Sequence, residues 1–396
     1  MALASKLIKG GNLQVAGGFD EYTIRGSSVA QRLYPNGNMQ ISGIFDEYTI
    51  YGGSVAQRLY PNGNMQISGI FDETAISYRQ YTANSTVVIP NPITSINIAT
   101  IGGGGGGRAT TFNYAGGGGG FAWVNNVTVT PGTAYTVYVG LGGVGVGNGG
   151  AGGCSYVAPL SSVTTFTASC SGTTLTTSIS QSFTVGTSIF SGSTVNSGQV
   201  YLGTIVSGSG TSWTVSIGGT YASQIMTAAN VLCMAEGGGG GSIGNSLGIG
   251  AGGRSWPSTA YGTYGGGVGG NSNIQSSGGG GAAGYTGNGG NGGNATIAAT
   301  SGVGGGAGGG ASSASGSGGG GGVGINGIGL NGSGGTVNSG GGGGSGGQTG
   351  NTAATGSTAG AGGIYGGGGG QGGTASANGG QGAVLINWGV TFPNLI

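Results

Sequence analysis

The sequence predicts an all-β protein in three parts: short N-terminal β-repeats, a β-domain with a β-rich insertion, and a C-terminal glycine-rich bundle of the polyglycine II type. Three observations lead there. Between Gly237 and Gly382 stand 67 glycines in 146 residues and a single charged side chain, Arg254. Residues 11–76 repeat with a period of 26. Elsewhere, β-branched and aromatic residues alternate with polar ones between Gly and Pro punctuation, and no stretch reads as a helix.

Glycine loses more backbone entropy on folding than any other residue and brings no side chain to a core. The Gly237–Gly382 stretch therefore folds only if its own amides and carbonyls do the binding. Helices of the polyproline II kind have three residues per turn and no internal hydrogen bonds, and glycine lets them pack side by side. Amide bonds then run between helices, with Cα–H···O contacts as a smaller addition. The Gly runs at 237–241, 265–267, 318–322, 340–344 and 366–370 are the expected rods, joined by short links with apolar or aromatic residues.

Residues 1–81 differ from the rest, holding six of the seven acidic and six of the eight basic residues. GSSVAQRLYPNGNMQISGIFDEYTI at Gly26–Ile50 returns as GGSVAQRLYPNGNMQISGIFDETAI at Gly52–Ile76, after a half-copy at Gly11–Ile24. A period of this length signals a stacked array. Pro35-Asn36-Gly37 and Pro61-Asn62-Gly63 read as hairpin turns joining two short strands per unit, with Met39 and Ile41, and Met65 and Ile67, on one face. A single unit cannot bury that face alone, so stacking or threefold self-association is expected. The recurrent Asp-Glu pairs at 20–21, 46–47 and 72–73 read as solvated turn residues or ladder partners of Arg32 and Arg58. Adjacent strand carboxylates point to opposite faces, which suits neither glycoside cleavage nor a calcium cage.

The expected divisions are 1–81 (repeats), 82–158 (first part of a glycine-rich β-domain), 159–230 (an inserted Ser/Thr-rich β-domain) and 231–396 (bundle and closing strand). Strands are expected in 87–101, 121–130 and 135–139, and in the insertion at Ser182–Val185 and Ser212–Ser216. The segment 152–157 is expected to resume at 231–237 across the insertion. Ala383–Trp388 should close the domain by pairing with the strands of 87–139.

Composition excludes several functions. Charged residues make up 4% of the chain, against about 25% on average. The net charge of +1 offers no footprint for nucleic acid. There is no His, which removes the commonest general base and metal ligand and any Ser/His/Asp or Cys/His triad. Beyond residue 81 the charged residues are Arg108, Glu236 and Arg254, too few for a carboxylate pair. No Gly-Lys-Ser/Thr follows a Gly run and no helix follows a G-x-G-x-x-G, so phosphate-loop and dinucleotide readings fail. The expectation is a protein that is not an enzyme and takes no cofactor or metal. Cys154, Cys170 and Cys233 read as small buried hydrophobes, with a Cys154–Cys233 bridge left open. No secretory signal or membrane span is read, and the three Asn-x-Ser/Thr sites are taken as chance.

The order of Val87–Ile101, a Gly run, Val127–Gly140, Gly152-Gly153-Cys154-Ser155 and the closing Gly382–Trp388 resembles the glycine-rich domain of bacteriophage tail-fibre and tail-tip proteins. The Gly runs resemble the distal adhesins of T-even-type phages, and the repeats resemble N-terminal segments of cyanophage-type fibres. The resemblance implies a virion fibre attached to other virion proteins through 1–81. It further implies a homotrimer and loops between Gly helices that meet a host surface glycan or outer-membrane protein. Neither nucleic acid nor membrane insertion is expected.

Candidate contacts are Trp256, Tyr261, Tyr264, Tyr285, Ile364 and Tyr365 in the links, where aromatic rings on a rigid scaffold suit stacking recognition. Arg254 would pair with an anionic sugar group. The alternative is that these side chains cap the bundle and shield its backbone from water. Two further readings stand beside the adhesin: a purely structural neck, head or baseplate fibre, and an ice-binding surface, which the irregular links disfavour.

Overall fold

A computed structural model describes residues 13–16, 39–44, 65–70 and most of 78–392; between 78 and 392 the undescribed stretches are short, the longest being 242–254. The fold is all-β: among the described residues the helical element is a single 3-10 turn at Leu160–Ser162. The chain divides into Met1–Ser77 and Tyr78–Ile396.

The first unit holds β1 (Leu13–Ala16), β2 (Met39–Ile44) and β3 (Met65–Ile70). They pair in parallel, Leu13 opposite Met39 and Met39 opposite Met65, so each step across the sheet is one 26-residue repeat. Parallel neighbours need a crossover of a dozen or more residues, which the remainder of each repeat supplies. The Pro-Asn-Gly turns lie outside the described residues. The strand after each turn is bonded to its equivalents in adjacent repeats.

The second unit contains β4 (Tyr78–Tyr81), β5 (Ser85–Val88), β6 (Ser95–Ile101), β7 (Asn113–Tyr114), β8 (Phe121–Thr128), β9 (Ala134–Tyr138) and β10 (Ser155–Pro159). It continues with β11 (Thr164–Gln181), β12 (Ser188–Phe190), β13 (Tyr201–Ala229), β14 (Cys233–Ala235), β15 (Ser255–Trp256), β16 (Thr263–Tyr264), β17 (Asn271–Ser272) and β18 (Ala383–Asn387).

Two antiparallel sheets, β16-β8-β6-β18-β4 and β15-β14-β10-β9-β5, face each other. Their shared core includes Ile96, Ile98, Val384 and Ile386 from the first and Val87, Val137, Val157 and Cys233 from the second. The closing strand β18 lies between β6 and β4, with Leu385 opposite Ala99 and Gln80. Strands β6 and β18 are buried on both faces, because Ala99, Ile101, Ala383 and Leu385 meet a second cluster containing Ala282, Ala283, Tyr285 and Val323. Near-continuous apolar runs in place of alternation are what two-sided burial requires.

The bundle begins earlier than composition suggests. From Gly102 to Gly107 the amides donate in turn to the carbonyls of Gly120, Gly153, Gly380, Gly117, Gly150 and Ala377, at 2.7–3.0 Å. Every third amide returns to the same neighbouring segment, the signature of three residues per turn. The carbonyls of this run accept from Gly143, Gly238, Gly241 and Gly369. The rod therefore touches six neighbouring segments, three through its amides and three through its carbonyls.

Gly278–Gly284 repeats the pattern. Residues 278, 281 and 284 donate to 293, 290 and 287, residues 279 and 282 to 318 and 321, and residues 280 and 283 to 116 and 119. The runs at 102, 120, 140, 153, 237 and 382 all adjoin strands of the two sheets, which roots the bundle in the sandwich. Gly102–Gly107 and Gly116–Gly120, which read in sequence as punctuation between strands, are thus rods of the bundle, as are the described residues of 140–143 and 149–153.

The insertion between β10 and β14 forms its own sheet, β11-β13-β12, around Leu175, Ile189, Leu202, Ile205, Trp213 and Met226. Its flanks meet directly, with Val157 opposite Cys233. Ser212–Ser216 is a strand within β13, with Trp213 and Val215 inward. Ser182–Val185 is not a strand. Thr187 N–H donates to Thr184 O at 3.1 Å, and Gly186 sits at φ 92°, so the chain turns there and leaves Val185 exposed.

All three cysteines are buried, and none of them is in a disulfide. Cys233 faces the sandwich core, whereas Cys154 lies in the layer beneath the insertion with Tyr156, Phe190 and Tyr201. The sheet separates the two, which answers the open question of a bridge. Burial pushes the Cys233 thiol up to about 12, so it stays protonated and behaves as a small apolar group.

Candidate functional site

The described parts of 255–272 pair with strands of both sheets. Trp256 is in β15, opposite Met234, at one edge of the second sheet. Tyr264 is in β16, opposite Phe121, at one edge of the first. Asn271 and Ser272 then pair with Tyr114 and Asn113. The structure thus brings the backbones of Trp256 and Tyr264 to neighbouring sheet edges. Arg254 and Tyr261 lie outside the described residues.

The other three candidates gather at the sandwich end of the bundle, in different settings. Tyr285 is 2% exposed. Its ring packs against Phe121 with centroids 4.5 Å apart and against Phe392 at 6.4 Å. It is a core residue, so the expectation that it meets a receptor is corrected. At the end of its rod it follows only the small Ala282 and Ala283, and its ring fills the gap against the sheet.

Tyr365 is half-buried beside the same cluster. Its hydroxyl accepts a hydrogen bond from Gln80 Nε2 at 2.8 Å, tying the link to β4. Ile364 stays 41% exposed. Its amide donates to Gln348 Oε1 at 3.1 Å, and its carbonyl accepts from the Gln348 amide at 3.1 Å. This turn is held at both ends and presents one apolar side chain.

A second feature escaped the sequence reading. Sheet β15-β14-β10-β9-β5 has two occupied faces: Tyr135 and Val137 point into the sandwich, while Tyr138 and Tyr156 pack toward the insertion. Tyr138 stacks on Tyr156 at 5.1 Å and 6°, and Tyr156 stacks on Phe190 at 4.5 Å and 17°. Burial holds the Tyr156 hydroxyl well above its ordinary range. Between this outer face and β11–β13 runs a cleft of about 630 Å³. The available signal was the alternation in Tyr135-Thr136-Val137-Tyr138, which places an aromatic on each face.

Chemically, these surfaces offer rings, hydroxyls, amides and backbone with almost no charge.

No curated protein matches the chain. A family model described as a glycine-rich domain matches residues 80–328, from β4 through the insertion into the bundle and short of the closing strand β18. That span is more than half of the chain, and its start coincides with the start of the second unit at Tyr78. The chain belongs to this glycine-rich domain family.

Proposed function

We propose that the chain is a bacteriophage virion fibre protein. Residues 1–81 attach it to other virion proteins, and the glycine-rich part recognises a host surface glycan or outer-membrane protein. The observation that carries this reading is the bundle: a rod lattice without charged residues along its runs, rooted in a sandwich, with the Ile364–Tyr365 link held by hydrogen bonds to Gln348. A surface of that kind escapes the ordering cost that a mobile binding loop incurs. Its lack of charge suits exposure to varied ionic conditions, since hydrogen bonds and packing are screened far less than ion pairs.

The parallel in-register repeats support the attachment role. Sheet edges built from near-identical rungs accept further strands of the same kind. Homotrimerisation through 1–81 belongs to this proposal. Sedimentation of the full chain beside a version lacking the repeats checks it, with a trimer expected only for the former.

A second reading, a structural virion fibre without a receptor, draws on one observation. Tyr285 and Tyr365 serve packing and anchoring, so part of the aromatic inventory of the links is spent on the fold. Binding of the purified full chain to host cells separates the two readings. Saturable binding that is lost when Trp256, Tyr261 and Tyr264 are together changed to Ala, in a chain with unchanged thermal unfolding, supports the adhesin. A folded parent chain that binds no host cell favours the structural fibre.

A further inference from the structure

The cleft between the sandwich and the insertion is walled by uncharged side chains, polar and apolar, Tyr156 and Val163 among the latter. Thr136 and Tyr138 rise from β9, Thr165 from β11, and Gln224 and Thr227 from β13, with Gln199 just before that strand. Ile225 stands at its lip, 66% exposed. No charged residue lines it.

Gln199 is 7% exposed and fixed in place: its Nε2 donates to Thr227 Oγ1 at 3.0 Å. Gly192 forms part of the wall, and a Cβ there would come within 2.9 Å of Gln224 Oε1, so the backbone passes close beneath that amide. The volume falls within the range of small-ligand sites.

We infer that this cleft is a binding site for a neutral oligosaccharide. A pyranose ring presents hydroxyls at its rim and apolar C–H groups on its faces. Thr and Gln side chains can donate to and accept from the hydroxyls, and Tyr138 and Ile225 supply apolar surface for the C–H faces. An anionic ligand would bury its charge without a counter-ion. The insertion thereby gains a role, as one wall of the site. This inference is independent of the reading given to the links, because it concerns different residues and is tested without cells.

The test titrates the full-length chain with cellotetraose, maltotetraose and tetra-N-acetylchitotetraose, and with tetragalacturonate as the charged comparison, observing Thr and Ile methyl resonances. Saturable shifts at Thr136, Thr165 or Ile225 with at least one neutral sugar are expected, with a dissociation constant of about 1 mM or tighter. Binding should weaken about tenfold or more in Gln224→Ala and in Thr165→Trp, which fills the cleft from an exposed position. It should be unchanged in Leu330→Ala, at an exposed site on the bundle. The methyl spectrum of each variant reports whether it is folded. No shift with any neutral sugar at about 10 mM, shifts undiminished by both cleft variants, or a preference for tetragalacturonate would each overturn the inference. Those results would leave the cell-binding test of the links untouched.

Discussion

The bundle and the insertion lie in one chain and solve the same problem with different atoms. In the insertion, Leu175, Ile189 and Leu202 are fully buried, and polar residues alternate outward along β11 and β13. Cohesion there comes from side-chain burial, about 25 cal/mol per Å² of apolar area. In the Gly102–Gly107 run there is no side chain to bury, and the run's own amides and carbonyls hold six neighbouring segments at backbone distance, three each. A side-chain core is forgiving, because rotamers shift and gaps partly collapse. A lattice of backbone against backbone has no such slack. The same single-carbon change should therefore cost very different amounts in the two regions.

The largest effect is expected from Gly105→Ala. A Cβ at this position would approach the carbonyl oxygen of Gly239 more closely than real Cβ atoms do. The rods must separate, which stretches the bonds from Gly105 N–H to Gly117 O and from Gly369 N–H to Gly105 O, both 2.8 Å. Overpacking costs about 1–3 kcal/mol, and each buried backbone group left unsatisfied adds about 1–3 kcal/mol. A loss of about 3 kcal/mol or more is expected in the denaturant midpoint at unchanged slope. A loss under about 1 kcal/mol would mean that the rods are not in six-neighbour contact.

Glycine is needed for another reason at Gly132, in the turn between β8 and β9. Its φ is 79° and a Cβ there would meet nothing within 4 Å. Space is free, and the backbone conformation alone sets the cost. Gly132→Ala should lose about 1–2 kcal/mol, the penalty of a left-handed residue. Gly132→Asn should lose less, because Asn tolerates that conformation. If Ala and Asn behave alike in thermal unfolding, the distinction drawn here between crowding and conformation fails.

The two kinds of glycine also explain what the sequence could reveal. Pro131-Gly132 is legible as a turn because its cause is local. The three-residue rods were legible in 237–382, where glycine is dense enough to leave no other fold. In Gly102–Gly107 and Gly116–Gly120 the same structure read as spacers, because the partners that make them rods, such as Gly380 for Gly104 and Gly369 for Gly116, lie hundreds of residues away.

Long-range partners matter elsewhere too. The Pro-Asn-Gly turns lie outside the described residues, but Met39 finds Met65 in parallel one repeat later. Tyr285 has the composition of any link aromatic, and only Phe121 and Phe392 make it a core residue. The closing strand Ala383–Asn387 was legible because the apolar run Ala383-Val384-Leu385-Ile386 after Gly382 reads as a buried strand.

The smallest effect is expected where one carbon is removed from the insertion. Ile189 is fully buried in the cluster with Leu175, Leu202 and Met226. Ile189→Val deletes a single methyl from a core of flexible neighbours, and such changes cost about 0.5–1.5 kcal/mol. Hydrogen exchange distinguishes the regions more sharply than the size of the loss. Amides of β11 to β13 should exchange faster in Ile189→Val, with those of Gly278–Gly284 unchanged. In Gly105→Ala the order should reverse, because Gly116–Gly120 connects the two rods: Gly105 donates to Gly117, and Gly280 donates to Gly116. Disturbance spreading equally through both regions in both variants would show a single cooperative unit, in which backbone lattice and side-chain core share one unfolding transition.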